Sequence, residues 1–66
     1  MNTIMYDAAM NNVEMYIGDV ASESGNNIAE EIYALAFDGA HNAMPRGEHA
    51  EKTEVAQKIV YEFMGE

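Results

Sequence analysis

The sequence predicts an all-α fold, a small three-helix bundle. Three stretches carry apolar residues at helical spacing, two turn-rich breaks separate them, and only one short stretch alternates as a strand would. A lone strand has nothing to pair with, so the helical reading accounts for the whole chain. With 66 residues, one domain spanning 1–66 is expected.

The first helix is expected over Thr3 to Ala21. Met5, Ala9, Val13, Tyr16, Ile17 and Val20 fall on one face, with Asp7, Asn11 and Glu14 opposite. Thr3 is the candidate N-cap, and Asp7 lies early enough to favour the positive end of the helix dipole. Gly18 sits inside the pattern at a cost of about 1 kcal/mol relative to alanine. Val13, Met15 and Ile17 also alternate with Glu14, Tyr16 and Gly18, so a short strand around residues 13–17 is the rival reading.

Ser22 to Asn26 is the first break, with Gly25 and Asn26 as turn residues. The central helix then runs from Asn27 towards Ala43 and is the most apolar stretch of the chain. Ile28, Ile32, Leu35 and Ala36 form one apolar row, and Tyr33, Phe37 and Ala40 a second. So wide a stripe needs partners on two sides, which makes this the middle helix. Asn27 with Glu30 matches a capping box. For the far end, either Gly39 supplies a C-cap, or the helix continues through His41 to Ala43 and stops before Met44-Pro45.

Met44 to Gly47 is the second break. Beyond it, Val55, Ala56, Ile59, Val60 and Phe63 define the third apolar face, and Gly65 ends the helix. Glu48 with Lys52 and Glu54 with Lys58 are acid-before-base pairs at i, i+4 spacing, each expected to add a few tenths of a kcal/mol.

Composition narrows the function classes. There is no cysteine, which excludes disulfides and thiolate metal sites and fits a reducing compartment. The N-terminus has no basic region ahead of an apolar core, and no run approaches the ~20 apolar residues of a membrane span. A soluble cytoplasmic protein is therefore expected. Twelve acids against three bases give a net charge of −9. From Glu14 to Asp38 there are six acids and no base. Such a surface repels nucleic acid and anionic membrane and attracts a basic protein surface. Solubilisation alone is the competing use of the acids.

Candidate chemistry is sparse. Asp19 to Glu30 has the length and end residues of a calcium-binding loop, but Ala21 brings no oxygen ligand and Ser24 stands where glycine is required. His41, His49, Glu48 and Glu51 do not share a helix face. Ser22 and Ser24 have no histidine nearby in sequence, and Glu30 and Glu31 have no pocket to divide their acidities. No enzyme, metal or cofactor is expected. Met5, Met10 and Met15 spiral around the first helix, so at least one leaves the core face, and at least one of Tyr6, Tyr16, Tyr33 and Tyr61 is expected at the surface.

The expected partner surface is the acidic block Glu14, Asp19, Glu23, Glu30, Glu31 and Asp38, facing a basic and nucleic-acid-binding surface on a larger protein or ribonucleoprotein. In size, charge and lack of cysteine the chain resembles small phage-encoded counter-defence proteins, including the anti-CRISPR proteins. The resemblance spans no motif. It implies an inhibitor that binds an effector complex, a DNA mimic among the forms this takes, acting in the host cytoplasm if phage-encoded. The alternatives are a helical module that forms a homodimer, its acids merely solvating the outside, and an acidic regulator of a transcription or metabolic enzyme.

Overall fold

Asn2 begins the fold. Its Oδ1 accepts hydrogen bonds from the backbone N–H of Ile4 (3.0 Å) and Met5 (3.1 Å), and its carbonyl accepts from Tyr6 N–H at 3.0 Å. Asn2 is thus the N-cap, and Thr3, expected in that role, is instead the first helical residue. In this computed structural model the chain forms α1 (Thr3–Glu23), α2 (Ile28–Ala43) and α3 (His49–Met64). The structure describes residues 2–23 and 27–65, apart from the side chains of Ala21 and Glu23. The turn expected at Gly25-Asn26 lies outside the described residues.

No strand occurs among the described residues, and the rival strand at 13–17 is overturned. Val13 is fully buried on the same face as Met5 and Ala9, while Met15 is 70% exposed, which a helix accommodates and an alternating strand would not. The helix also continues through Ser22 and Glu23, which the sequence reading assigns to the break.

Asn27 precedes α2 with φ −99° and ψ 16°, far from the extended geometry of a capping residue, and its side chain makes no cap bond. The expected capping box is therefore not formed. At the other end α2 passes through Gly39 and stops at Met44, whose backbone (φ −139°, ψ 74°) has left the helical region that Pro45 disfavours for the residue before it. Gly39 has a packing role instead. A Cβ there would lie 2.7 Å from the Ala8 carbonyl oxygen and 2.8 Å from Ala9 Cα. The two helices touch backbone to backbone at this point, and Asn12 fastens the crossing by donating from Nδ2 to the Leu35 carbonyl at 2.7 Å.

The core follows from three apolar faces. Met5, Ala9, Val13 and Val20 of α1, Ile32, Ala36 and Ala40 of α2, and Val55, Ala56 and Ile59 of α3 are buried together. Tyr33, Leu35, Phe37 and Val60 close its edges. Phe63, expected on the core face, is 37% exposed because it lies in the last turn of α3. Gly65 then caps that helix in a left-handed conformation (φ 76°), its N–H donating to the Tyr61 carbonyl.

The placement of α3 positions the surface. Met5 Cε packs against Gly47, just before α3, while the neighbouring Tyr6 donates its hydroxyl proton to Glu62 near the end of α3. The 16 residues of α3 span about 24 Å. Adjacent residues of α1 reach both ends only if α3 crosses α1 obliquely. By contrast α1, with 21 residues and a length of about 31 Å, sets the 32 Å long dimension of the molecule.

Candidate protein-binding surface

The α1–α2 hairpin contains no lysine or arginine, and its acids are Asp7, Glu14, Asp19, Glu23, Glu30, Glu31 and Asp38. Six of them are exposed, and the side chain of Glu23 lies outside the described residues. The exposure follows from helix geometry. On α2 the buried residues Ile32, Ala36, Gly39 and Ala40 occupy one side, and Glu30, Glu31 and Asp38 project from the other.

The acids do not form one patch. Glu31 and Asp38 are seven residues apart and share a stripe to within about 20°. Glu30 points about 100° away from them and lines the shallow groove between α2 and α3 with Ala29, Tyr33, Gln57 and Val60, about 330 Å³ in volume. On α1, Glu14 and Asp19 diverge by about 140°. Glu14 instead shares a stripe with Asp7, and both act on the Tyr6 hydroxyl. The hydrogen bond to Glu62, partial burial, and the negative charges of Glu62, Asp7 and Glu14, in that order, push the Tyr6 hydroxyl from its ordinary 10.0 up to about 12. A second anionic region thus gathers Asp7, Glu14 and Glu62 around Tyr6. The sequence reading omits Asp7 and Glu62 from the site. The seven-residue step from Asp7 to Glu14 was a usable signal, but the approach of Glu62 depends on the oblique course of α3.

The bases are placed elsewhere. Arg46 is exposed in the α2–α3 loop. Lys58 lies 3.6 Å from Glu62, the one carboxylate pairing of a lysine or arginine among the described residues. The pair expected between Lys58 and Glu54 is replaced by this one. Lys52 does not pair with Glu48 either. It is 4% exposed, and its Nζ reaches His41 Nδ1 at 3.0 Å and the Pro45 carbonyl at 3.1 Å.

The histidines are engaged separately, His41 with Lys52 and His49 with the Phe37 ring at a centroid distance of 5.3 Å. Among the described residues no three His, Asp or Glu side chains gather as metal ligands. The α2–α3 groove holds one carboxylate, Glu30, beside the Tyr33 phenol. No helix in the described residues is long and apolar enough to cross a membrane. No protein family, curated protein or solved structure matches the chain, so the reading of this surface rests on its own geometry and charge.

Proposed function

We propose that this chain is a small acidic binding protein, not an enzyme, that engages a basic, nucleic-acid-binding surface of a larger protein or ribonucleoprotein and inhibits it. The observation that carries this reading is the α1–α2 hairpin, with Asp7, Glu14, Asp19, Glu30, Glu31 and Asp38 exposed and no lysine or arginine anywhere in it. None of these carboxylates has an ion-pair partner among the described residues. Carboxylates left hydrated and unpaired are free to meet lysine and arginine. DNA carries one charge per ~1.7 Å of axis, and a helix rises ~1.5 Å per residue, so acids on helices can offer a basic groove a comparable line of charge. Occupying that groove would exclude nucleic acid, as anti-CRISPR proteins that act as DNA mimics do. The site of action under this reading is the cytoplasm.

The test is capture of a partner on the immobilised chain from a bacterial lysate, followed by elution with salt or with double-stranded DNA. Retention is expected to fall at least about tenfold between about 0.05 and 0.5 M salt, and DNA is expected to compete. The double variant Glu30→Lys, Glu31→Lys should lose the partner while keeping its helicity. A partner that resists both salt and DNA would overturn the reading.

A further inference from the structure

The proposed function leaves open which face meets the partner and what the partner presents there. The exposed side of α1 has a pattern of its own. Ile4, Asn11, Met15, Gly18 and Ser22, all exposed, follow one another at steps of seven, four, three and four residues, and Ala8, partly buried with its carbonyl against Gly39 of α2, lies at the edge of this row. That is the spacing of a coiled-coil seam. None is charged, and Ile4 and Met15 are 62% and 70% exposed. Gly18 lies inside the helix, towards its C-terminal end, yet a Cβ there would meet nothing within 4 Å. The internal packing therefore has no need of a glycine that costs helix stability. An outside helix axis drawing close at this point would need one.

Charge identifies the occupant. By the helical repeat, Asp7 and Glu14 border one edge of the seam and Asp19 the other, all three exposed. A second copy would set these acids against their own kind. A nucleic acid would be repelled by them. We infer that the outer face of α1 docks an amphipathic helix of the partner, with apolar residues along its seam and lysine or arginine on both flanks. This rests on the acidic-binder reading and adds the face and the partner's form.

The probe is a synthetic peptide about three heptads long, with leucine and alanine along the seam and lysine on the flanks. A scrambled peptide of identical composition keeps the charge and loses the seam. The ordered peptide is expected to bind at least about tenfold more tightly than the scrambled one. Gly18→Leu and Met15→Gln, which leave the charge unchanged and do not lower helix propensity, should each weaken it about tenfold. The double variant Glu31→Lys, Asp38→Lys should weaken the peptide far less, because these α2 acids would meet the whole partner outside the α1 row. Equal affinity for the two peptides, or indifference to Gly18→Leu, would overturn the inference. If that indifference accompanies salt-sensitive partner capture abolished by the Glu30 and Glu31 reversals, the acidic reading stands and only the α1 face is lost. Seam-dependent peptide binding without any salt-sensitive partner would remove the proposed function instead.

Discussion

Lys52 Nζ lies 3.0 Å from His41 Nδ1, and the same ammonium donates to the Pro45 carbonyl at 3.1 Å. An ammonium only donates, so Nδ1 is the acceptor in this contact. The contact joins α3 to the end of α2 and to the loop between them. The lysine stem lies on the buried face of α3, so the residue serves as core and as clasp.

Lys52→Ala should therefore destabilise the fold by about 1–3 kcal/mol, through lost stem packing and two lost hydrogen bonds. Lys52→Met keeps the stem and should cost less. Glu48→Gln should change stability by less than about 0.5 kcal/mol, because Lys52 bonds elsewhere. Denaturant unfolding midpoints read all three. A larger loss for Glu48→Gln than for Lys52→Ala would contradict the clasp.

Two glycines in helix interiors should respond in opposite directions. Gly39→Ala forces a methyl group against the α1 backbone at Ala8 and Ala9, where neither side can rotate away. The expected cost is about 1–3 kcal/mol or more. Gly18→Ala meets open space and should stabilise by about 0.5–1 kcal/mol. Thermal melts of the two variants, followed by circular dichroism, should shift to opposite sides of the parent protein.

These cases mark how far the sequence was legible. The core was open to reading because Met5, Ala9 and Val13, Ile32, Ala36 and Ala40, and Val55, Ala56 and Ile59 repeat at helical spacing, and burial follows that spacing. Gly39 stands seven residues after Ile32 and three after Ala36, on the same face, but Asp-Gly also reads as a helix end. Lys52 stands three residues before Val55 and seven before Ile59, on the buried face, but a charge invites pairing with Glu48 across one turn. In both, local chemistry competed with periodicity, and packing between helices decided. At the surface, the outward direction of Glu30, Glu31 and Asp38 was legible from the helical repeat. The separation of Glu14 from them needed only the same arithmetic. Its gathering with Glu62 did not follow from any local rule, since it depends on the angle at which α3 crosses α1.

The Tyr6–Glu62 contact makes stability depend on alkaline pH. In the unfolded chain the Tyr6 hydroxyl releases its proton near the ordinary 10.0, whereas in the folded chain it holds it to about 12. Between those values the folded state binds more protons, so the group's stabilising contribution is fully present and constant below the window and is lost as pH rises through it. Tyr6→Phe should flatten that part of the profile while lowering stability near neutrality through loss of the bond to Glu62. Unfolding midpoints of the parent and Tyr6→Phe proteins across pH 9 to about 12 provide the comparison, with ultraviolet absorbance following tyrosinate formation. Parallel profiles would show that the hydroxyl is not held by Glu62.

Salt should raise, not lower, the stability of the isolated protein. A fold tied together by surface ion pairs weakens when they are screened. Here the described residues hold one exposed lysine–carboxylate pair, Lys58 with Glu62, against a net charge of −9. Repulsion among Asp7, Glu14 and Glu62, and between Glu31 and Asp38, is then the larger electrostatic contribution, and added ions relieve it. The unfolding temperature should climb between about 0.01 and 0.3 M sodium chloride, as the screening length shortens from about 30 Å to below 10 Å. Glu31→Lys should both raise the melting temperature at low salt and reduce its salt dependence, because it removes one repelling charge and gives Asp38 a cation on its own stripe. This is the opposite sign from the salt effect expected for partner capture. One titration can therefore separate the two roles of the acids, self-repulsion in the free protein and attraction in the complex. A melting temperature that falls with salt would mean that the carboxylates are already paired within the fold, leaving far less charge to offer a partner.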